Sequence, residues 1–204
     1  MKDTTEPTVA NYFRSLVGGL IYLTQTRPDI AFDVGVISRF MHSPSKHHLG
    51  VAKRVLRYVE GTKNFGLWFG RIADFRLEGF TDNDWAVCLD DRMSTSGYVF
   101  NFGTAVVCWS SKKQHTTALS SSEAEFVAAS SEACHSIWMR YILAEIYQAQ
   151  DGATVFYCDN KDAIQMTRNP VYHGRTKHLD IKVNYVMDLV AEEQVVLEYL
   201  NTNE

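Results

Sequence analysis

The chain lacks a C-x-x-C pair, an H-E-x-x-H run and any Cys/His pattern with metal-ligand spacing. Its four cysteines, Cys88, Cys108, Cys134 and Cys158, lie 20 to 26 residues apart. That spacing suits neither a zinc cage nor a small disulfide scaffold and leaves buried free thiols in a reducing compartment. No apolar run approaches the roughly 20 residues of a membrane helix, and the polar start MKDTTEPTVA has no apolar signal core. A soluble intracellular protein without membrane contact is expected. Net positive charge is also missing: the formal value is −4, which gives no overall attraction to phosphate. Basic residues are instead grouped, as Lys53, Arg54, Arg57 and Lys63, as Lys112 and Lys113, and as Arg168, Arg175, Lys177 and Lys182 with His173 and His178. Each group alone also reads as an ordinary solvated face. Hydrophobic residues at 46% and charged residues at 22% exclude disorder.

The first third has a helical period. NYFRSLVGGLIYLTQ carries Phe13, Leu16, Val17, Leu20 and Leu23 on one side, weakened by Gly18 and Gly19. Beyond Pro28, IAFDVGVISRFM places Ile30, Val34, Ile37 and Phe40 or Met41 on one face. Ser43-Pro44-Ser45 can cap a third helix that closes at Gly61. From about residue 75 the pattern turns to strands: FRLEGFTD, GYVFNFG and AVVCWSS form an expected antiparallel meander. A long helix over 119–147 follows, with Ser120, Ser121 or Ser122 as N-cap and Phe126, Ala129, Ala133, Ile137 and Tyr141 as its apolar side. The run TVFYC reads as a strand covered on both faces. A helix from Lys161, another near 177–192 and the strand VVLEYL complete the chain. The expected architecture is α/β, with a helical domain over residues 1–70 and a mixed-sheet domain over 71–204.

Three carboxylates stand at the mouths of core elements: Asp82 at the end of the leading strand, Glu125 in the first turns of the long helix, Asp159 at the end of TVFYC. Ligands gather at the carboxyl ends of parallel strands, and carboxylates converging there repel one another unless a divalent cation joins them. Each has a plainer reading as well, the aspartates as turn residues and the glutamate as a complement to the helix dipole. Glu123 reads as solvated, and Asp84, Asp90 and Asp91 as turn and surface residues.

The wording of TDNDWAVCLDDRMSTSGYVFNFG, CWSSKKQHTTALSSSEAEFVAAS, YCDNKDAIQM and RTKHLDIKVNYV closely resembles the ribonuclease H region of Copia-type LTR-retrotransposon Pol polyproteins. The preceding NYFRSLVGGLIYLTQTRPDIAFDVGVISRFMHSPSKHHLGVAKRVLRYVEGT resembles the thumb or connection end of the reverse transcriptase. The resemblance implies an RNase H-like fold, a mixed five-stranded sheet with flanking helices and a long helix against one face. It implies hydrolysis of the RNA strand of RNA–DNA hybrids with two Mg²⁺ or Mn²⁺ ions. The rest of the reverse transcriptase would be a partner, in a cytoplasmic virus-like particle or the nucleus.

Carried over by motif, the catalytic and metal-binding residues are Asp82 in F-T-D, Glu125 in S-S-S-E-A-E-F and Asp159 in C-D-N. Asp82 would bridge both ions, and Glu125 and Asp159 would hold the ion nearer the leaving oxygen. The family's fourth carboxylate follows the last strand, on a helix that lies past LEYLNTNE, so the 71–204 domain is expected without its usual C-terminal helix. A non-catalytic nucleic-acid-binding or structural remnant is the alternative. Asp180 is a candidate substitute, and His173 or His178 a candidate aid to product release. No Y-V-D-D polymerase motif occurs. Val87 stands where Gly is usual and Met93 where Lys is common. The helix motif directly after the meander separates the pattern from an integrase-like nuclease.

Overall fold

The computed structural model describes residues 9–71, 75–84, 93–114, 120–168 and 177–201, with backbone alone over 177–183. By compactness the chain divides into two units, residues 1–68 with 110–112 and residues 69–109 with 113–204.

The first unit is helical: α1 Ala10–Leu23, a 3-10 turn Pro28–Ile30, α2 Ala31–Ser38 and α3 Lys46–Gly61. Phe13, Val17 and Leu20 repeat at helical spacing and pack with Ile30, Val34, Ile37, Ala52 and Val55 into one core. Gly18 and Gly19 face open space. The second helix stops at Ser38 and does not run on to Met41. Arg39, Phe40 and Met41 donate to carbonyls three residues back, a tightening ahead of Ser43-Pro44, where proline disfavours helix in the residue before it. Ser45 then caps α3 as expected: its Oγ accepts from the His48 N–H at 3.2 Å, and His48 Nδ1 accepts from the Ser45 N–H at 3.1 Å.

The second unit is a five-stranded sheet in the order β3-β2-β1-β4-β5, built from β1 Leu77–Asp84, β2 Thr95–Phe102, β3 Ala105–Lys113, β4 Thr154–Cys158 and β5 Val195–Tyr199. β1 pairs antiparallel with β2 and parallel with β4, which pairs parallel with β5. The helices α4 Ser121–Glu145, α5 Lys161–Arg168 and α6 Lys177–Ala191 complete it. A meander followed by helix-linked parallel strands is the RNase H-like fold.

Leu77, Phe100, Phe126, Ala129, Ala133, Phe156, Val186 and Val195 belong to its core. Gly79 is required where β1 meets this core. A Cβ there would lie 2.5 Å from the Phe156 ring, closer than packed carbons approach.

Two expectations need correction. β4 is not covered equally on both faces: Thr154, Phe156 and Cys158 are buried, while Val155 and Tyr157 are half-exposed. The outer side of Tyr157 is covered only in part, by stacking on Phe80 at 5.0 Å between centroids. Tyr141 is not on the buried side of α4; it is 70% exposed. One residue earlier, Arg140 turns towards β4 and donates to Thr154 Oγ1 and the Gln150 carbonyl, both at 3.1 Å.

Candidate functional site

The register sets two of the three carboxylates side by side. In the parallel pair β1–β4, Thr81 lies opposite Cys158, so Asp82 and Asp159 stand level, Asp159 just past the end of β4 and Asp82 inside β1, which runs on to Asp84 instead of ending at Asp82 as expected. Alternation sends Leu77, Gly79, Thr81 and Asn83 into the interior and leaves Asp82 and Asp84 towards solvent. Asp82 Oδ1 accepts from the Asn83 N–H at 2.8 Å.

Glu125 comes from α4. Ser120 starts that helix, its Oγ accepting from the Glu123 N–H at 3.1 Å. Glu123 is half-exposed in the first turn, whereas Glu125, on the next, is only 5% exposed. Buried Gln114 locks the start of α4 to the sheet. Its Nε2 lies 3.0 Å from Asn83 Oδ1, 2.8 Å from Ser96 Oγ and 3.0 Å from the Ala124 carbonyl. The glutamate that follows Ala124 is thereby held over β1.

Ligand atoms of Glu125, Cys158 and Asp159 lie within 4.8 Å of one another. Asp82 is outside that set but within electrostatic reach. Burial pushes the Glu125 carboxyl up to about 8, helped by the charges of Asp159 and Asp82. Asp82, rimmed by protein although solvent reaches it, is raised mainly by desolvation and then by Asp159 and Asp84, against the pull of the Asn83 N–H. Glu125 Oε2 is buried and has no hydrogen-bond partner. A buried glutamate with an unpartnered oxygen, beside the exposed carboxylates of Asp159 and Asp82 that repel it, suits a divalent cation, which supplies both the missing partner and the missing charge.

Two functional neighbours were not foreseen from the sequence. The cysteines were expected as buried free thiols; Cys158 is free and buried, but Cys134 is exposed and Cys108 only half-buried, and the Cys158 sulfur lies with the carboxylate cluster. Glu132, two turns beyond Glu125 on α4, is 1% exposed with neither oxygen hydrogen-bonded. Desolvation drives its carboxyl well above the usual range. The charges of Glu125 and Asp82 add to this, and the nearby Thr81 hydroxyl is out of hydrogen-bond geometry and is itself unpartnered. The seven-residue spacing of Glu125 and Glu132 was the available signal, because residues so spaced share a helix face.

Of the basic groups, Lys53, Arg54, Arg57 and Lys112 are exposed, and Lys63 pairs with Glu60 at 2.5 Å. Val87, Cys88, Asp90, Asp91, His173 and Arg175, and the side chains of Lys177, His178, Asp180 and Lys182, lie outside the described residues. Among the described residues no helix is long and apolar enough to cross a membrane.

No family model matches the chain. It is 41% identical over 193 residues to the retrovirus-related Pol polyprotein from transposon TNT 1-94 of Nicotiana tabacum, covering 94% of this chain and 14% of that protein. It is 36% identical over 200 residues to the corresponding polyprotein from transposon RE1 of Arabidopsis thaliana, covering 98% of this chain and 13% of that one. The chain therefore spans 13–14% of the length of these relatives. Among solved structures it is similar to a foamy viral protease–reverse transcriptase dRH in complex with double-stranded DNA. The TM-score is 0.56 at 9% identity, over 98% of this chain and 34% of that one, a likeness of fold alone.

Proposed function

From the premise that the chain belongs to the retrovirus-related Pol polyproteins of Copia-type transposons, we propose that it is a ribonuclease H-type module hydrolysing the RNA strand of RNA–DNA hybrids. In this reading residues 1–70 are the end of the reverse transcriptase and residues 71–204 the hydrolytic domain. The observation that carries it is Glu125: a buried carboxylate with an unpartnered oxygen, repelled by Asp159 and Asp82, which stand level on two parallel strands.

Asp82, Glu125 and Asp159 would hold Mg²⁺ or Mn²⁺. Bound there, the ions would neutralise the carboxylates, activate water and stabilise charge on the phosphodiester oxygens. Gln114 fixes the backbone at the start of α4, which places Glu125 beside Asp159. Exposed Lys53, Arg54, Arg57 and Lys112 offer contacts to phosphates, and an A-form-like hybrid would be gripped by backbone and 2′-OH, not by base sequence. A second reading, non-catalytic hybrid binding, is favoured by one observation: Asp82 lies outside the 4.8 Å ligand set.

Labelled RNA–DNA hybrid incubated with the chain and Mg²⁺ or Mn²⁺ separates the two. Cleavage of the RNA strand by the wild type, lost in Asp82→Asn and Glu125→Gln while hybrid binding persists, is the expected result. Binding without cleavage in the wild type would overturn the hydrolytic reading.

A further inference from the structure

Cys158 has no place in the hydrolytic scheme, yet its sulfur is within 4.8 Å of ligand atoms of both Glu125 and Asp159. The fold puts it there. Alternation along β4 turns Thr154, Phe156 and Cys158 to the buried side, and Cys158 is 1% exposed. The sulfur accepts from the Asn160 N–H at 3.4 Å, a donor that also suits a thiolate. Glu125 supplies the independent sign of a ligand, being 5% exposed with Oε2 unpartnered.

Mg²⁺ is a hard cation that makes little use of sulfur. Zn²⁺ and other thiophilic ions bind mixed sulfur–oxygen sets tetrahedrally, with Zn–S near 2.3 Å and Zn–O about 2.0–2.2 Å. Those lengths bring tetrahedral ligand atoms to about 3.4–3.6 Å from one another, inside the 4.8 Å within which the three atoms already lie.

We propose that Glu125, Cys158 and Asp159 form a thiolate-containing site for a thiophilic divalent cation of the Zn²⁺ or Cd²⁺ class, one that competes with Mg²⁺ for the two carboxylates. On binding, the Cys158 thiol releases its proton to solvent and the sulfur donates to the metal. The ion becomes an inhibitor because it claims Glu125 and Asp159, the carboxylates that would otherwise hold Mg²⁺; its fourth tetrahedral position is left to water. The inference draws on the same site as the proposed hydrolysis but does not require that hydrolysis occur.

The test is a Cd²⁺ titration of the full chain without nucleic acid, followed by the thiolate-to-cadmium charge-transfer band in the ultraviolet. A band is expected that Mg²⁺ diminishes, that survives in Cys108→Ser and Cys134→Ser, and that disappears in Cys158→Ser. Glu125→Gln, which removes a charge without touching the thiol, should weaken Cd²⁺ binding by more than about tenfold, a loss that outer-shell partners alone can cause. Circular dichroism of each variant checks that the fold persists. A band that persists in Cys158→Ser, no band in the wild type, or Cd²⁺ binding indifferent to Mg²⁺ and to Glu125→Gln would overturn the proposal. A band without hybrid cleavage leaves this site standing and removes the hydrolytic reading; cleavage without a band does the reverse.

Discussion

Around Arg27, in the helical unit, each buried charge meets a partner, whereas beneath α4, in the sheet unit, several buried polar atoms meet none. Arg27 donates to both oxygens of Asp29, at 2.8 and 2.6 Å, and to the carbonyl and hydroxyl of Thr62 at 3.1 and 2.7 Å. The Tyr58 hydroxyl donates to Asp29 at 3.0 Å. In the other cluster Thr81 Oγ1, Asn83 Nδ2, Gln114 Oε1, Glu125 Oε2 and both oxygens of Glu132 are unpartnered. The titrations follow. Hydrogen bonding to Arg27 holds the Asp29 carboxyl below its ordinary value, while desolvation lifts Glu125 and Glu132 above theirs. A satisfied cluster of this kind stabilises its surroundings. An unsatisfied one costs stability until something fills it, which is how sites for ions differ from structural pins.

The largest expected effect lies in the pH dependence of the unsatisfied cluster. The Glu125 carboxyl, ordinarily at 4.5, is raised in the folded state to about 8. Between those values the folded chain keeps a proton that the unfolded chain releases, so stability falls as pH rises from about 4.5 to about 8. Every tenfold difference in proton affinity between the two states is worth about 1.4 kcal/mol, so the loss amounts to several kcal/mol at most. Mg²⁺ should reverse it, raising the melting temperature more at pH 8 than at pH 5, and Glu125→Gln should reduce both responses, leaving the share of the pH dependence that comes from Glu132. Melting curves with equal pH dependence in wild type and Glu125→Gln would remove Glu125 as their source.

Glu132 breaks the comparison differently, because no cation site includes it. Replacing it by leucine removes two unpartnered oxygens from the core beside Ala129 and Ala133. Glu132→Leu should stabilise the chain by about 2–3 kcal/mol at neutral pH, read as a higher urea midpoint at unchanged slope. A lower midpoint would show that Glu132 has a partner in solution.

The elements were legible because their periods are strong. Phe13, Val17 and Leu20 mark α1, and Ser45 announces α3. The motif wording picked out Asp82, Glu125 and Asp159 and preferred Glu125 to Glu123, in line with their burial. What stayed hidden depends on contacts between elements. Nothing local distinguishes Cys158 from a filler thiol, since its role arises from β4 meeting α4. Glu132 stands beside Ala133 on the apolar side of α4, and nothing in the local sequence marks it as buried. Gln114 sits inside the polar run SSKKQHTT, and its reach to Ala124 and Asn83 exists only once β1, β3 and α4 are assembled. The Arg27–Asp29 pair spans Pro28, and its other partners, Tyr58 and Thr62, lie some thirty residues on.

That pair gives the smallest expected effect and the opposite sign. The Arg27 side chain is 8% exposed and that of Asp29 31%, so the bridge is covered but shallow, with Tyr58 and Phe65 over the guanidinium at 5.8 and 5.9 Å. Arg27→Met keeps the apolar cover and deletes the donors. Asp29 then keeps the Tyr58 hydroxyl, and Thr62 loses two donors, while its carbonyl keeps the Phe65 N–H and its hydroxyl still donates to the Tyr58 carbonyl. Destabilisation of about 2 kcal/mol is expected at pH 7, the scale of hydrogen bonds to charged groups discounted for partial exposure. Arg27→Lys should recover only part of it, since an ammonium cannot engage both Asp29 oxygens in a planar fork. Because the Asp29 carboxyl is lowered below 3.8 in the folded chain, its share of stability is present above that value and lost as pH falls through the folded value. Wild type and Arg27→Met should therefore converge in denaturation midpoint under strong acid and separate as pH rises above 3.8. Equal midpoints at pH 7 would mean that Tyr58 and water satisfy Asp29 as well as Arg27 does, and the contrast between the two clusters would rest on the sheet unit alone.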